Sequence, residues 1–246
     1  KFQAGGWTGG DENTIFHTIS PNQFNVDGGD TACTSISVLC SMYYLRKRYQ
    51  PPSKDFGKVV ERGCKLWKLW NEEVLTKESE KKGNEAPSLQ TKLQLVQDVL
   101  SVKYMKRVRQ TTYIIKEMAG LLSSYLLEKH RKDPTAKDTY YSLKQVIKFL
   151  TEDHNERRTC VFTIRNSTTT IMYDGEVEGS PLWLFDSHGG LMPRHSTMVE
   201  CKTKDALLKY IKGKYPLGQG TTNNMFTASF FGSVKDNVTK DVGQDS

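Results

Sequence analysis

Along the chain, apolar residues first recur every three or four positions and later every second position, and the switch falls just after Asp153-His-Asn-Glu156. The steps Ile36, Leu39/Cys40, Tyr43 and Lys47 predict a helix with Thr31 as N-cap and Arg46-Lys47-Arg48 at its C-terminal end, stopped by Gln50-Pro-Pro-Ser53. A second amphipathic helix is expected from Asp55 to about Leu75 through Phe56, Val60, Gly63, Trp67, Trp70 and Val74, with both tryptophans turned to a core. Residues 77–87 are polar, end in Pro87 and read as a solvated linker. Further helices are expected from Ser88, with Leu89, Leu93, Val96 and Leu100 inward, over 112–130, and behind a Ser142 cap through Leu143, Val146, Ile147 and Leu150.

The later, period-two part holds Thr159–Arg165, Thr169–Tyr173, Pro181–Asp186 and Met198–Cys201, all rich in β-formers, with Gly175 and Gly179-Ser-Pro181 as turns. Thr203 caps a short helix over 204–214, and Met225–Phe231 closes the set as a last strand. The first 30 residues carry no sustained period and form an irregular lead-in that closes on Asp27-Gly-Gly-Asp30. The expectation is an α+β fold in one domain over 1–234, with 31–150 mainly helical and packed on a mainly antiparallel sheet over 158–232. Residues 235–246 have almost no apolar content and are expected to be a disordered tail.

Composition narrows the class without choosing a function. The 246 residues are 37% hydrophobic and 26% charged, enough apolar surface for a sizeable core, and no stretch approaches the roughly 20 consecutive apolar residues of a membrane helix. The opening KFQAGGWTGG lacks the apolar run of a secretory signal, and a start at Lys1 reads as a piece of a longer chain. Five cysteines (33, 40, 64, 160 and 201) form no CxxC pair, and the five histidines supply no HxxxH set. Disulfides and structural zinc are therefore not expected, and reduced thiols in an intracellular compartment are. The sequons at Asn166 and Asn237 are short enough to arise by chance.

The formal charge of +7 raises a nucleic-acid reading, carried by Lys103-Tyr-Met-Lys-Arg-Val-Arg109 and Arg46–Arg48. No nucleic-acid motif accompanies those clusters. Gly218-Gln-Gly-Thr221 and Gly5-Gly-Trp-Thr-Gly-Gly10 lack the third glycine or the Lys-Ser/Thr of a phosphate loop.

One cysteine stands apart. Cys33 opens a helix entered from a Gly-Gly loop, where free N–H groups and the helix dipole favour a thiolate; its alternative reading is a buried thiol like the other four, which fall inside expected helices and strands. A thiolate needs a base and an orienter, and Leu184-Phe-Asp-Ser-His-Gly189 offers both. On a strand, Asp186 and His188 share one face, so a carboxylate can hold one imidazole nitrogen and leave the other for the thiol. His17, His130, His154 and His195 lie in the lead-in, at a helix end, in a charged turn and in a loop, and read as surface residues. For the oxyanion, the Cys33 N–H supplies one donor and Gln23 is the chosen second, with Asn22 and Asn25 as alternatives and a turn role open for all three.

Gln23, the run Asp30-Thr-Ala-Cys33-Thr-Ser-Ile-Ser-Val38 and the later Phe185-Asp-Ser-His-Gly189 together resemble the ubiquitin-specific cysteine protease domain of herpesvirus large tegument proteins, of which this chain would be a divergent member. The single D-x-H on one strand gives the resemblance most of its specificity. It implies a papain-like fold, isopeptidase activity on ubiquitin or polyubiquitin conjugates, Cys33 as nucleophile, His188 as base and acid, Asp186 as orienter and Gln23 as oxyanion donor. It implies no metal or cofactor. Ubiquitin's basic RLRGG tail calls for carboxylates near the thiol, for which Asp30, Asp174, Glu176 and Glu178, with Asp27, are the candidates. The protein would act as a monomer with no nucleic-acid or membrane partner. Two rivals remain: another Cys-His-Asp acyl-transfer enzyme, such as a ubiquitin-like-modifier or polyprotein protease, and a non-catalytic basic module.

Overall fold

A computed structural model describes residues 12–47, 50–82, 94–102, 105, 112–152, 155–189 and 195–233. Its centre is an eight-stranded sheet in the order β1-β7-β6-β5-β4-β8-β2-β3. The strands are β1 (Thr14–Ile19), β2 (Thr112–Leu121), β3 (Tyr141–Ser142), β4 (Arg157–Ile164), β5 (Ser167–Asp174), β6 (Leu182–Asp186), β7 (Ser196–Cys201) and β8 (Met225–Ser233). All neighbours run antiparallel except the short β2–β3 pair, which is parallel.

Helices cover both faces, and the two-residue alternation of the strands decides which side chain goes where. On one face α1 (Cys33–Lys47), α2 (Asp55–Lys82) and α3 (Val96–Ser101) pack on Val161, Met172, Trp183, Phe185, Met198 and Phe231. On the other, α5 (Leu143–Thr151) and α6 (Lys204–Lys214) cover Cys160, Ile171, Leu182, Leu184, Val199 and Phe230. A further helix, α4 (Ser124–Arg131), follows β2. Strand β6 thus sends Trp183 and Phe185 one way and Leu182 and Leu184 the other, which leaves Asp186 on the α6 side.

Helix α1 is buried on every side from Cys33 to Met42, including its hydroxyl residues Thr34, Ser35, Ser37 and Ser41, as expected of a central helix. Some of its polar groups are met by neighbours: Thr34 Oγ1 lies 3.1 Å from Thr168 Oγ1, and Thr170 Oγ1 donates to the Ser37 carbonyl at 2.9 Å. Small residues let α2 come close. A Cβ on Gly63 would sit 2.6 Å from Ile36 Cα. The caps at Ser142 and Thr203 form as the sequence predicts, accepting from the N–H groups of Gln145 and Ala206.

Five expectations are corrected. The lead-in is not irregular throughout, because Thr14–Ile19 pairs with β7 across the sheet edge, Thr14 opposite Cys201 and Ile19 opposite Ser196. The helix expected over 112–130 is a strand followed by α4, since Thr112–Leu121 finds a partner in β8 and tertiary pairing overrides local preference. The linker expected from residue 77 is helix as far as Lys82, where α2 ends. Ala32, not Thr31, holds the cap position of α1, its carbonyl accepting the Ile36 N–H at 2.9 Å, while Thr31 Oγ1 is buried without a hydrogen-bond partner. Strand β6 ends at Asp186, so His188 lies in the turn beyond it rather than on the strand. The tail from residue 235, His154 and most of the Lys103–Arg109 cluster lie outside the described residues.

Candidate active site

Three segments far apart in sequence meet where α1 begins, β4 turns into β5, and β6 ends. Helix α1 reaches this point through the Asp27–Asp30 turn, in which Gly28 takes φ 79° and Gly29 is pressed so closely on the Gln23 backbone that a Cβ would lie 1.7 Å from its carbonyl oxygen. With alanine at the cap and no acidic residue in the first turn, the N-terminal N–H groups of α1 meet no side-chain anion of their own helix. Cys33 stands at that end, 4% exposed. Its Sγ lies 4.0 Å from the Asn166 carbonyl oxygen in the β4–β5 turn. That two-residue turn needs a left-handed residue, which Arg165 supplies at φ 54°. The Arg165 guanidinium then fastens the turn by donating to the Pro216 and Asn223 carbonyls.

His188 is held by Asp186. The carboxylate oxygen Oδ1 accepts both the His188 backbone N–H at 3.1 Å and Nδ1 at 2.8 Å, which assigns the proton of the neutral ring to Nδ1 and leaves Nε2 for the thiol. Asp186 has a 1% exposed side chain and His188 a 21% exposed one. The Phe24 ring, half exposed, lies with its centroid 5.9 Å from that of His188 and walls one side of the imidazole.

Burial alone would push the Cys33 thiol up, but the hydrogen bond and charge of His188, with further hydrogen bonds from Thr168, outweigh it and hold the thiol below its ordinary value. The other cysteines go the opposite way. Burial pushes Cys64 and Cys201 up to about 12 and raises Cys40 and Cys160 as well. All five are free thiols.

Gln23 belongs to the same cluster. It lies fully buried in a 3₁₀ turn over Gln23–Asn25, capped by the Asn22 side chain. Its backbone N–H donates to the Ser187 carbonyl at 3.0 Å, and its Oε1 accepts the Ser187 hydroxyl at 2.7 Å. That second bond orients the amide and leaves Nε2 as a buried donor with no partner. Asn22 and Asn25 bond to each other instead, Nδ2 of Asn25 to Oδ1 of Asn22 at 2.7 Å, which is a turn role. A free, oriented donor tied to the residue between Asp186 and His188 has the form of an oxyanion-site amide. Gln23→Ala is expected to lower kcat by roughly 10²-fold with little change in KM, measured by steady-state hydrolysis.

The remaining predicted residues divide. Asp30 is exposed in the turn three residues before Cys33, and Asp27 is exposed and ion-paired with Lys68 of α2. Asp174 is not available to a substrate tail. Its carboxylate is buried against Arg157, directly opposite in the β4–β5 register, with Arg157 Nε and an Nη both 2.9 Å away. It also sits at the far end of β5 from Thr168, six residues and about 20 Å along the strand. Glu176 and Glu178 follow it, exposed, at that same far end. Of the other histidines, His17 lies 3.5 Å from Glu200 across β1–β7, His130 bonds the Asp138 carbonyl at 2.7 Å, and His195 places its carbonyl against Gly189.

Three participants escaped the sequence reading. Ser187, inside the D-x-H itself, orients Gln23; Thr168 of β5 helps to hold the Cys33 thiol below its ordinary value; and Lys214 of α6 contacts the second oxygen of Asp186. Lys214 had a signal. It continues the buried series Leu207, Tyr210, Ile211 at helical spacing.

No protein-family model matches this sequence, and no curated protein does. Solved structures do match. The ubiquitin-specific protease encoded by murine cytomegalovirus tegument protein M48, solved with a ubiquitin-based suicide substrate, aligns with a TM-score of 0.55 at 11% identity, covering 91% of this chain and 89% of that one. The fold is shared with a viral ubiquitin-specific protease. It is an α+β fold of the papain-like kind. The Pseudomonas avirulence protein AvrPphB aligns at a TM-score of 0.45 and 11% identity over 87% of this chain and 96% of that one. At 11% identity the M48 likeness is one of fold, and the chemistry rests on the side chains of this chain. Among the described residues no helix is long and apolar enough to cross a membrane, and no group of three or more His, Cys, Asp or Glu could hold a metal ion.

Proposed function

We propose that this chain is a thiol-dependent isopeptidase that hydrolyses ubiquitin conjugates. The observation that carries the reading is the Asp186–His188 pair set so that the hydrogen bond and charge of His188 hold the Cys33 thiol below its ordinary value, in a fold shared with a ubiquitin-specific protease.

The Cys33 thiolate attacks the carbonyl of ubiquitin's C-terminal glycine. The developing oxyanion faces the Cys33 N–H at the start of α1 and the free Nε2 of Gln23. Nε2 of the His188 imidazolium gives its proton to the leaving lysine amine, the C–N bond breaks, and a thioester remains on Cys33. His188, now neutral, takes a proton from water as the water attacks the thioester and so becomes the imidazolium again, and the C–S bond then breaks to release ubiquitin's C-terminal carboxyl group and the Cys33 thiolate. Asp186 keeps the ring oriented throughout. Asp30 is the carboxylate proposed to meet the basic ubiquitin tail, ahead of Asp174, which is paired with Arg157, and of Glu176 and Glu178, which follow it at the far end of β5. Five buried free thiols suit a reducing, intracellular compartment. The same reading treats 1–234 as one catalytic domain acting as a monomer.

The second reading keeps the mechanism and changes the acyl donor, because a Cys-His-Asp site serves any amide that fits. Hydrolysis of ubiquitin bearing a C-terminal fluorogenic amide, beside the same leaving group on ubiquitin-like modifiers, separates the two. Turnover of the ubiquitin amide, lost in Cys33→Ala, is expected. Turnover confined to another modifier would move the protein to the second reading, and turnover of none would remove both.

A further inference from the structure

Helix α6 ends beside the candidate site, and its last residue is a cation where the pattern calls for an apolar group. Leu207, Tyr210 and Ile211 are buried, and Lys214 continues their stripe. A lysine in that position needs an anion. Its Nζ contacts Oδ2 of Asp186, the oxygen that His188 does not use, and lies 5.4 Å from the centroid of the Tyr215 ring. The Tyr215 hydroxyl is in turn 2.9 Å from Ser167 Oγ, beside the β4–β5 turn whose carbonyl faces Cys33. The end of α6 is therefore fastened both to the carboxylate behind the imidazole and to the turn in front of the thiol.

We propose that Lys214 is a positioning residue of this site: by holding Oδ2 it commits Oδ1 of Asp186 to His188, and its charge balances that of the carboxylate. The proposal rests on the reading of Cys33 and His188 as nucleophile and base. In the active ionic state the site holds the Cys33 thiolate, the His188 imidazolium, the Asp186 carboxylate and the Lys214 ammonium, two charges of each sign. Removing the ammonium leaves a net negative charge beside the thiol, which disfavours the thiolate. Among the described residues the titratable and charged groups around Lys214 are Asp186 at the end of β6, His188 beyond it, Tyr215 at the end of α6 and, across Tyr215, Cys33 and Arg165. Burial pushes Lys214 down to about 7, so the ammonium depends on the carboxylate that faces it.

The test reads thiolate formation directly and needs no ubiquitin: the pH dependence of Cys33 alkylation by iodoacetamide, with Cys33→Ala as the baseline for the four other thiols. In Lys214→Met the acid-side midpoint is expected to move up by about half a pH unit or more, and Lys214→Arg, which keeps the charge, is expected to restore it. Because a neutral group facing a buried carboxylate can unfold the end of α6, the substitution is repeated in Asp186→Asn, where both charges of the pair are gone. There Lys214→Met is expected to add no further shift. Midpoints that coincide in all folded variants, or a Lys214→Met shift equally large in the Asp186→Asn background, would overturn the proposal. Loss of ubiquitin cleavage with these midpoints as expected would instead refute the substrate and leave Lys214 in its role.

Discussion

Replacing His188 with alanine is expected to lower kcat/KM on ubiquitin conjugates by roughly 10³–10⁴-fold while the protein stays folded. The side chain is 21% exposed and lies in the turn beyond the end of β6, outside both hydrophobic clusters, so its loss opens no cavity in either core. Two separate contributions disappear. The leaving amine loses its acid and the hydrolytic water its base, which removes the proton transfers of both half-reactions. The thiol also loses the hydrogen bond and charge that hold it below the ordinary range, leaving burial, which raises it, opposed only by Thr168. Residual reactivity of Cys33 toward a small alkylating reagent should therefore need more alkaline solution in His188→Ala than in the parent. A parallel fall in kcat/KM with no change in that pH profile would mean that His188 positions substrate rather than ionising the thiol.

Asp186→Asn is expected to cost at least about 10²-fold in kcat/KM. An asparagine can accept the His188 Nδ1 proton only if its oxygen faces the ring, and its NH₂ then points at Lys214, two donors against each other. The stability effect has a sign that can be checked. Burial already pushes Lys214 down to about 7 in the parent, and loss of the facing carboxylate pushes it further down in the folded variant, while the unfolded chains share the ordinary value. Below about pH 7 the folded parent therefore binds a proton that the folded variant does not, so the stability deficit of the variant grows as pH falls through that region. Melting temperatures of variant and parent should accordingly lie furthest apart below about pH 7 and keep a constant separation above it. A difference that widens with pH would show that Lys214 is not the group left exposed to the lost charge.

Much of the candidate site was legible because its signals are local. A Gly-Gly turn into a helix that opens with Cys33, and a carboxylate two residues before His188, need no tertiary information. The one local error was the strand: the residues fall together through an Asx-type turn after β6, with Oδ1 of Asp186 bonded to the backbone of His188 as well as its ring. Gln23 could be chosen as a donor from sequence, but what frees its Nε2 is the bond from Ser187, 164 residues away. Lys214 is one of several lysines at a helix end and becomes informative only because its place on the Leu207–Ile211 stripe sets it, partly buried, against Asp186.

The misread elements share a cause. Thr14–Ile19 and Thr112–Leu121 become strands through partners some 180 and 110 residues later, β7 and β8, and neither segment alternates cleanly enough to announce itself. Asp174 stands close in sequence to the D-x-H segment and is a candidate for the basic tail on that ground, whereas the β4–β5 register sets it across from Arg157 and at the far end of β5 from Thr168. The bodies of helices α1 and α2, by contrast, follow from spacing, although the cap of α1 and the end of α2 do not, and the glycine at position 63 lets the two helices touch.

The central claim is that one thiol of five, Cys33, is an activated nucleophile for the C-terminus of ubiquitin. Incubating the chain with ubiquitin that carries a C-terminal electrophile, and mapping the modified peptide by mass spectrometry, tests it directly. The expected result is a single adduct of one ubiquitin per chain, on Cys33, absent from Cys33→Ala. No adduct, or an adduct that survives that substitution, would contradict it.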